Sequence, residues 1–129
     1  MRVDWKDEYN TGVDVIDRQH HMLVNMIDSI DAADGEHLAL IIKELVEYAS
    51  LHFDTEEMLM QQFDYPDVAA HCAQHAAFAD HVRRLMAEWE LAVRIDKANL
   101  FAFLESWLIS HIQGTDQQMA AYLKSKRAG

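Results

Sequence analysis

The sequence predicts an all-α protein, an antiparallel up-down-up-down four-helix bundle with an N-terminal arm and a short C-terminal helix. Three observations predict it. Apolar residues recur at steps of three and four in four separate stretches, the period of a helix that buries one stripe. The stretches are divided by turn signals or by a loss of phase, and such short connections set neighbouring helices side by side and antiparallel. Histidines and carboxylates fall in step with the apolar stripes, on the faces due to be buried.

Residues 1 to about 12 are expected to form an arm, with Trp5 and Tyr9 packing on the bundle and Gly12 preceding the first helix. That helix is expected over roughly 14 to 32, on the stripe Ile16, His20, Leu23, Ile27 and Ile30. Residues 33 to 36 read as a turn with Gly35 as the stop signal. The second helix, roughly 37 to 63, carries Leu38, Ile42, Leu45, Ala49, His52, Glu56, Leu59 and Phe63. Pro66, the chain's single proline, ends this run, because its ring clashes with the preceding turn and it has no N–H to donate. The third helix, roughly 67 to 93, carries Val68, His71, His75, Phe78, Val82, Leu85 and Trp89. Residues 94 to 98 hold neither glycine nor proline, so that boundary rests on loss of phase before the stripe resumes at Leu100, Leu104, Trp107 and His111. Gly114 is expected to break the fourth helix near 111 to 113 and free Asp116 to turn back toward His111. A terminal helix over roughly 117 to 126 completes the chain.

The chain has 129 residues, half of them hydrophobic, which suits one domain spanning 1–129 with one core and no separate output module. Twenty-two acidic against eleven basic residues give a net charge of -11, which repels nucleic acid and anionic membrane surfaces. The basic run from Lys124 to Arg127 reads as a helix C-terminus complementing its dipole. The first ten residues lack the apolar run of a secretory signal, and no later window is long and apolar enough to span a membrane. The expectation is a cytoplasmic protein without membrane insertion. Cys72 is the lone cysteine, so no internal disulfide forms, and beside His71 it reads as a small packing residue with no base to activate it.

His20, His52, Glu56, His71, His75, His111 and Asp116 converge on the inner seam of the four helices. A buried imidazole or carboxylate needs a partner, since an unpaired buried charge costs several kcal/mol or is given up by a pKa shift. Residues four apart on a helix project side by side, so His52 with Glu56, and His71 with His75, each offer two donor atoms to one site. His21, His37 and His81 fall off the stripes and are expected to face solvent or the bundle edge and to bind no metal. Imidazole with carboxylate and no thiolate suits iron, zinc, manganese or copper, and spacing does not choose among them. Seven ligands exceed the needs of one tetrahedral ion and approach those of two octahedral ions. If both carboxylates and one solvent-derived oxygen bridge the ions, one coordination position stays open for a small molecule such as dioxygen.

The segments Ile16-Asp-Arg-Gln-His20, His52-Phe-Asp-Thr-Glu56-Glu, His71-Cys-Ala-Gln-His75 and Trp107-Leu-Ile-Ser-His111-Ile-Gln-Gly-Thr-Asp116 resemble the haemerythrins, specifically the single-domain bacterial haemerythrins. The resemblance covers nearly the whole chain. It implies a non-haem centre of two iron ions that binds dioxygen reversibly, with His71, His75 and His111 on one iron and His20 and His52 on the other. It also implies that Glu56, Asp116 and an oxo or hydroxo group bridge the irons, and that dioxygen binds at the iron held by His20 and His52. The family's ligand pocket falls on Leu23, Phe53, Trp107, Leu108 and Ile112, an apolar lining that would exclude water.

The first expectation is therefore a binding protein rather than an enzyme, carrying or storing dioxygen or delivering it to an oxygen-consuming partner protein. Two other functions compete with it. One is sensing, in which ligand or redox state alters bundle contacts that another protein reads. The other is a di-iron enzyme reducing peroxide or nitric oxide, or a hydrolase on zinc. Turnover would need an acid–base residue near the open position, and no further titratable residue stands on the stripes.

Overall fold

A computed structural model describes residues 1–92 and 96–128. The expected side-chain position of Trp89, the end of the third helix at 93 and the start of the 94–98 link lie outside the described side chains or residues. Four long helices carry the fold: α1 (Asp14–Asp28), α2 (Gly35–Gln62), α3 (Val68–Ala92) and α4 (Lys97–His111). A π-helical segment (Ile112–Asp116) leads from α4 straight into α5 (Gln117–Ala128), and a 3₁₀ turn at Asp7–Tyr9 shapes the arm. α1 packs against α2 and α4, and α2 against α3 and α5. Phe53 meets Phe78 while Glu56 meets His71, and Gln74 meets His111 while His81 meets Phe103, so α2 with α3, and α3 with α4, run antiparallel. The all-helical bundle is the one the periodicity predicts.

The element boundaries depart from that reading in three places. α1 stops at Asp28, not near 32, because the Ser29 hydroxyl donates to the Met26 carbonyl at 2.6 Å and the chain then tightens into short turns closed by Ile30 and Ala33 amides. Ile30 nevertheless stays fully buried, so the apolar stripe outlasts the helix. Gly35 does not stop the first helix. It stands at the head of α2 with φ +56°, in the left-handed region that glycine enters at little cost. Gly114 does not break the fourth helix either, since the backbone runs on through the π-helical segment.

The turn at Pro66 is closed by side chains as well as by proline. Asp64 takes φ 55°, its amide bonds the Gln61 carbonyl, and the Tyr65 amide bonds the Met60 carbonyl at 2.9 Å, a Schellman arrangement with aspartate in the place glycine usually takes. The Tyr122 hydroxyl reaches the Phe63 and Asp64 carbonyls and ties α5 to this turn. At the opposite end Lys97 Nζ donates to the Asp31 and Ala33 carbonyls, and Asp96 caps α4 through the Asn99 amide. The arm packs as expected, with Tyr9 buried and Gln117 reaching its carbonyls.

The apolar interior forms two clusters. The larger runs from Val3 and Leu23 through Leu45, Phe53, Phe78 and Leu104 to Ile112, and the smaller joins Val13, Ile16, Met60, Tyr65, Met119, Ala120 and Leu123. Each fully buried Ile, Leu or Met contributes about 1.5–3 kcal/mol through removal from water. Between the clusters the core turns polar. No described helix is long and apolar enough to cross a membrane.

Candidate metal centre

α1 supplies His20, α2 supplies His52 and Glu56, α3 supplies His71 and His75, α4 ends on His111, and the π-helical segment ends on Asp116. All seven side chains are buried, none more than 4% exposed. The π segment explains how Asp116 reaches the site. In an α-helix four steps return a side chain to within about 40° of its starting face, whereas five leave it about 140° away. The wider π turn absorbs the additional residue, so Asp116 faces the same interior as His111.

The seven residues sort into two groups that share their carboxylates. Glu56 Oε1 stands 2.9 Å from His75 Nε2, 3.2 Å from His71 Nε2 and 3.8 Å from His111 Nε2. Its other oxygen, Oε2, stands 3.1 Å from His52 Nε2 and 3.6 Å from His20 Nε2. Asp116 repeats the division, with Oδ1 3.0 Å from His71 and 3.1 Å from His111 while Oδ2 lies 3.0 Å from His20. Glu56, His71, His75, His111 and Asp116 thus surround one point, and His20, His52, Glu56 and Asp116 another, each set with its ligand-type atoms within 4.8 Å of one another.

Both carboxylates are held below their usual range. Burial alone would raise Glu56, but the facing imidazoles of His111, His20 and His52 outweigh it, and for Asp116 those of His111, His20 and His71 outweigh burial and the nearby Glu56 charge. Burial opposes charge on His20 and His71, yet Asp116 and Glu56 lift both to about 9, and the same carboxylates raise His111. His75 moves the other way, because burial and the neighbouring His111 and His71 outweigh its bond to Glu56. The centre is a buried negative field faced by imidazole nitrogens, an environment that attracts cations.

The donor set fits a pair of metal ions on geometric grounds. Both Asp116 oxygens, Glu56 Oε2, His52 Nε2 and His20 Nε2 make no hydrogen bond despite contacts of 3.0–3.6 Å. A hydrogen-bonded polar core would use those lone pairs on one another. Here they point at common centres instead. The off-stripe histidines take no part: His21 and His37 are exposed, and half-buried His81 stacks on Phe103 at 3.9 Å. Half-buried Cys72 packs at the smaller apolar cluster, and burial followed by the Glu57 carboxylate pushes its thiol up to about 11.

Two aromatic rings flatten against the centre, Phe53 on His75 at 4.0 Å and Trp107 on His111 at 4.5 Å. Both also line an apolar cavity with about 20 Å³ of room for the centre of a water-sized molecule. Leu23 and Leu108, two of the positions where the resemblance puts a ligand pocket, also line this cavity, together with Ile27, Leu45, Ala49, Phe78 and Leu104, which periodicity marks only as core. Ile112 is not on this lining. The π segment carries it into the larger apolar cluster, where it is fully buried.

Residues 11–123 match the family model described as the Hemerythrin HHE cation binding domain. The chain belongs to the haemerythrin family. This haemerythrin is similar to the Bacteriohemerythrin of Stenotrophomonas maltophilia (strain R551-3), with 34% identity over 125 residues, 94% of this chain and 81% of that one. It is 36% identical over 127 residues to the Bacteriohemerythrin of Pseudomonas aeruginosa (strain LESB58), covering 95% of this chain and 80% of the relative. Among solved structures, a wild-type hemerythrin crystal structure superposes with a TM-score of 0.84 at 27% identity, over 92% of this chain and 95% of that one.

Proposed function

We propose that this haemerythrin binds dioxygen reversibly at a non-haem pair of iron ions, and that residues 1–129 act as one such domain. The carrying observation is the shared carboxylates: Glu56 and Asp116 each turn one oxygen to the three-histidine group and the other to the two-histidine group. In this reading His71, His75 and His111 would hold one iron and His20 and His52 the other, and Glu56, Asp116 and a solvent-derived oxo or hydroxo group would be shared between them. Reduced iron supplies the electrons that reversible dioxygen binding requires. The protein's part is to fix the pair, keep its surroundings dry and admit a small apolar gas through Leu23, Phe53, Trp107 and Leu108.

A carrier suits the cavity better than an enzyme does. Every residue lining it is apolar, so no proton donor stands in the space where a substrate would sit. Carriage, storage and delivery to an oxygen-consuming partner all use the same equilibrium. Metal analysis combined with visible spectra, taken while the reduced protein is cycled between nitrogen and oxygen, tests the reading. About two irons per chain and a charge-transfer band that comes and goes with oxygen are expected. Zinc in place of iron, or a single oxidation without cycling, would overturn it.

A further inference from the structure

The two halves of the centre repeat a pattern that extends beyond the seven buried residues. Gln19 directly precedes His20 on α1, and Gln74 directly precedes His75 on α3. Thr55 directly precedes Glu56 on α2, and Thr115 directly precedes Asp116 at the end of the π segment. In each half the glutamine reaches across to an imidazole on the neighbouring element. Gln19 Oε1 lies 2.7 Å from His52 Nδ1, and Gln74 Oε1 lies 2.8 Å from His111 Nδ1. In each half the threonine secures the glutamine.

The proton positions follow from counting donors. The Thr55 hydroxyl has one proton and donates it to the Leu51 carbonyl at 3.0 Å, so its oxygen accepts from Gln19 Nε2–H at 3.2 Å. That contact turns the amide so that Oε1, an acceptor only, faces His52. Nδ1 of His52 must then donate, so in the neutral ring Nε2 carries the lone pair and faces the centre. In the other half the direction differs: the Thr115 hydroxyl donates to Gln74 Oε1 itself at 3.1 Å, and Oε1, an acceptor only, lies 2.8 Å from His111 Nδ1, which donates to it, with Thr115 Oγ1 2.9 Å from Nδ1. In the neutral ring Nε2 of His111 likewise carries the lone pair. Nδ1 of His20 and of His71 has no hydrogen-bond partner, and Glu57 stands 3.9 Å from His75 Nδ1. One imidazole in each group is therefore locked by a glutamine.

We infer that Gln19 with Thr55, and Gln74 with Thr115, are two positioning pairs, one for each metal, that hold His52 and His111 in the ligand tautomer and orientation. The His111–Asp116 interval is one residue longer than the His52–Glu56 interval, and the π segment absorbs that residue so that threonine and carboxylate keep corresponding places. The inference rests on the two-iron reading above, and it makes a claim that reading does not: each pair serves one metal and not the other.

The test uses the iron-loaded full chain, unaltered and as Gln19→Leu, Gln74→Leu, Gln19→Glu and Gln74→Glu. Gln19 is half-buried and Gln74 exposed, so leucine at either place leaves the core packing intact. Iron loss to a chelator is timed, and Mössbauer spectra distinguish the two irons through their different histidine counts. Losing an outer hydrogen bond of this type weakens metal binding about 10–100-fold. Gln19→Leu is expected to lose one iron component at least about tenfold faster, Gln74→Leu the other component, and each glutamate variant to restore its own. Unchanged loss rates in both leucine variants, equal loss of both components in each, or no restoration by glutamate would overturn the inference. If the unaltered chain fails to hold two irons, the proposed function falls and this inference with it. If it holds two and the leucine variants match it, only this inference falls.

Discussion

Glu56 is the side chain on which both halves of the centre depend, because its two oxygens face five imidazoles between them. Replacing it with alanine removes a shared ligand and leaves those imidazoles around a hole, so loss of both metals is expected. His111→Ala is expected to have the same effect, since it removes the donor that faces both Glu56 and Asp116. His81→Ala should leave metal content unchanged and cost about 0.5–1.5 kcal/mol through its lost stack on Phe103. Metal analysis and denaturant unfolding of the three variants check this, and equal metal loss from His81→Ala would sink the link between stripe position and ligation. Six of the seven residues that meet at the centre are legible from periodicity, because a polar residue in phase with a buried stripe has to be satisfied inside, whereas Asp116 lies on no stripe. Gln19, Thr55, Gln74 and Thr115 are not legible, because they sit at half-buried or exposed positions where glutamine and threonine are common. The adjacency of each glutamine to a histidine and each threonine to a carboxylate was visible, but it gained meaning only once hydrogen bonds joined the pairs.

At the scale of elements, the junction of α4 and α5 shows why spacing rules read this chain only in part. A residue five after His111 is out of phase in an α-helix, so spacing alone predicts a break at Gly114 to bring Asp116 back. The structure keeps the helix and widens one turn. A Cβ on Gly114 would meet nothing within 4 Å, so Gly114→Ala is expected to raise stability by about 0.5–1 kcal/mol with metal content intact, as measured by denaturant unfolding. A glycine needed as a breaker would lose stability instead. Deleting Gly114 should return the segment to α geometry with histidine and aspartate four apart, the spacing of His52 and Glu56, and so retain the metals. Inserting an alanine there should turn Asp116 away and lose them. The early stop of α1 was equally hidden, because the stripe continues through Ile30 after Ser29 has ended the hydrogen-bond ladder.

The whole molecule places its most polar side chains between two apolar clusters, with the larger cluster and its cavity on one side and the packing of α5 on the other. The bundle architecture was legible from the four stripes, but their common level was not, since periodicity fixes a face and leaves the height of one helix against another open. That level decides stability as well as function. A buried polar atom without a partner costs about 1–3 kcal/mol, and eight side-chain atoms of the centre make no hydrogen bond. Metal that binds the folded chain and not the unfolded one adds RT ln(1 + [L]/Kd), about 4 kcal/mol at a thousandfold excess over Kd. For a domain of this size each kcal/mol moves Tm by about 3 °C, so stripping the iron is expected to lower Tm by about 10 °C, and restoring it to recover the loss in a concentration-dependent way. Thermal melts of loaded, stripped and reconstituted protein measure this, with Glu56→Ala as the control whose Tm does not respond to iron. Equal melting of the loaded and stripped protein would mean that imidazoles and carboxylates satisfy one another without a cation, and that the core needs no metal to be whole.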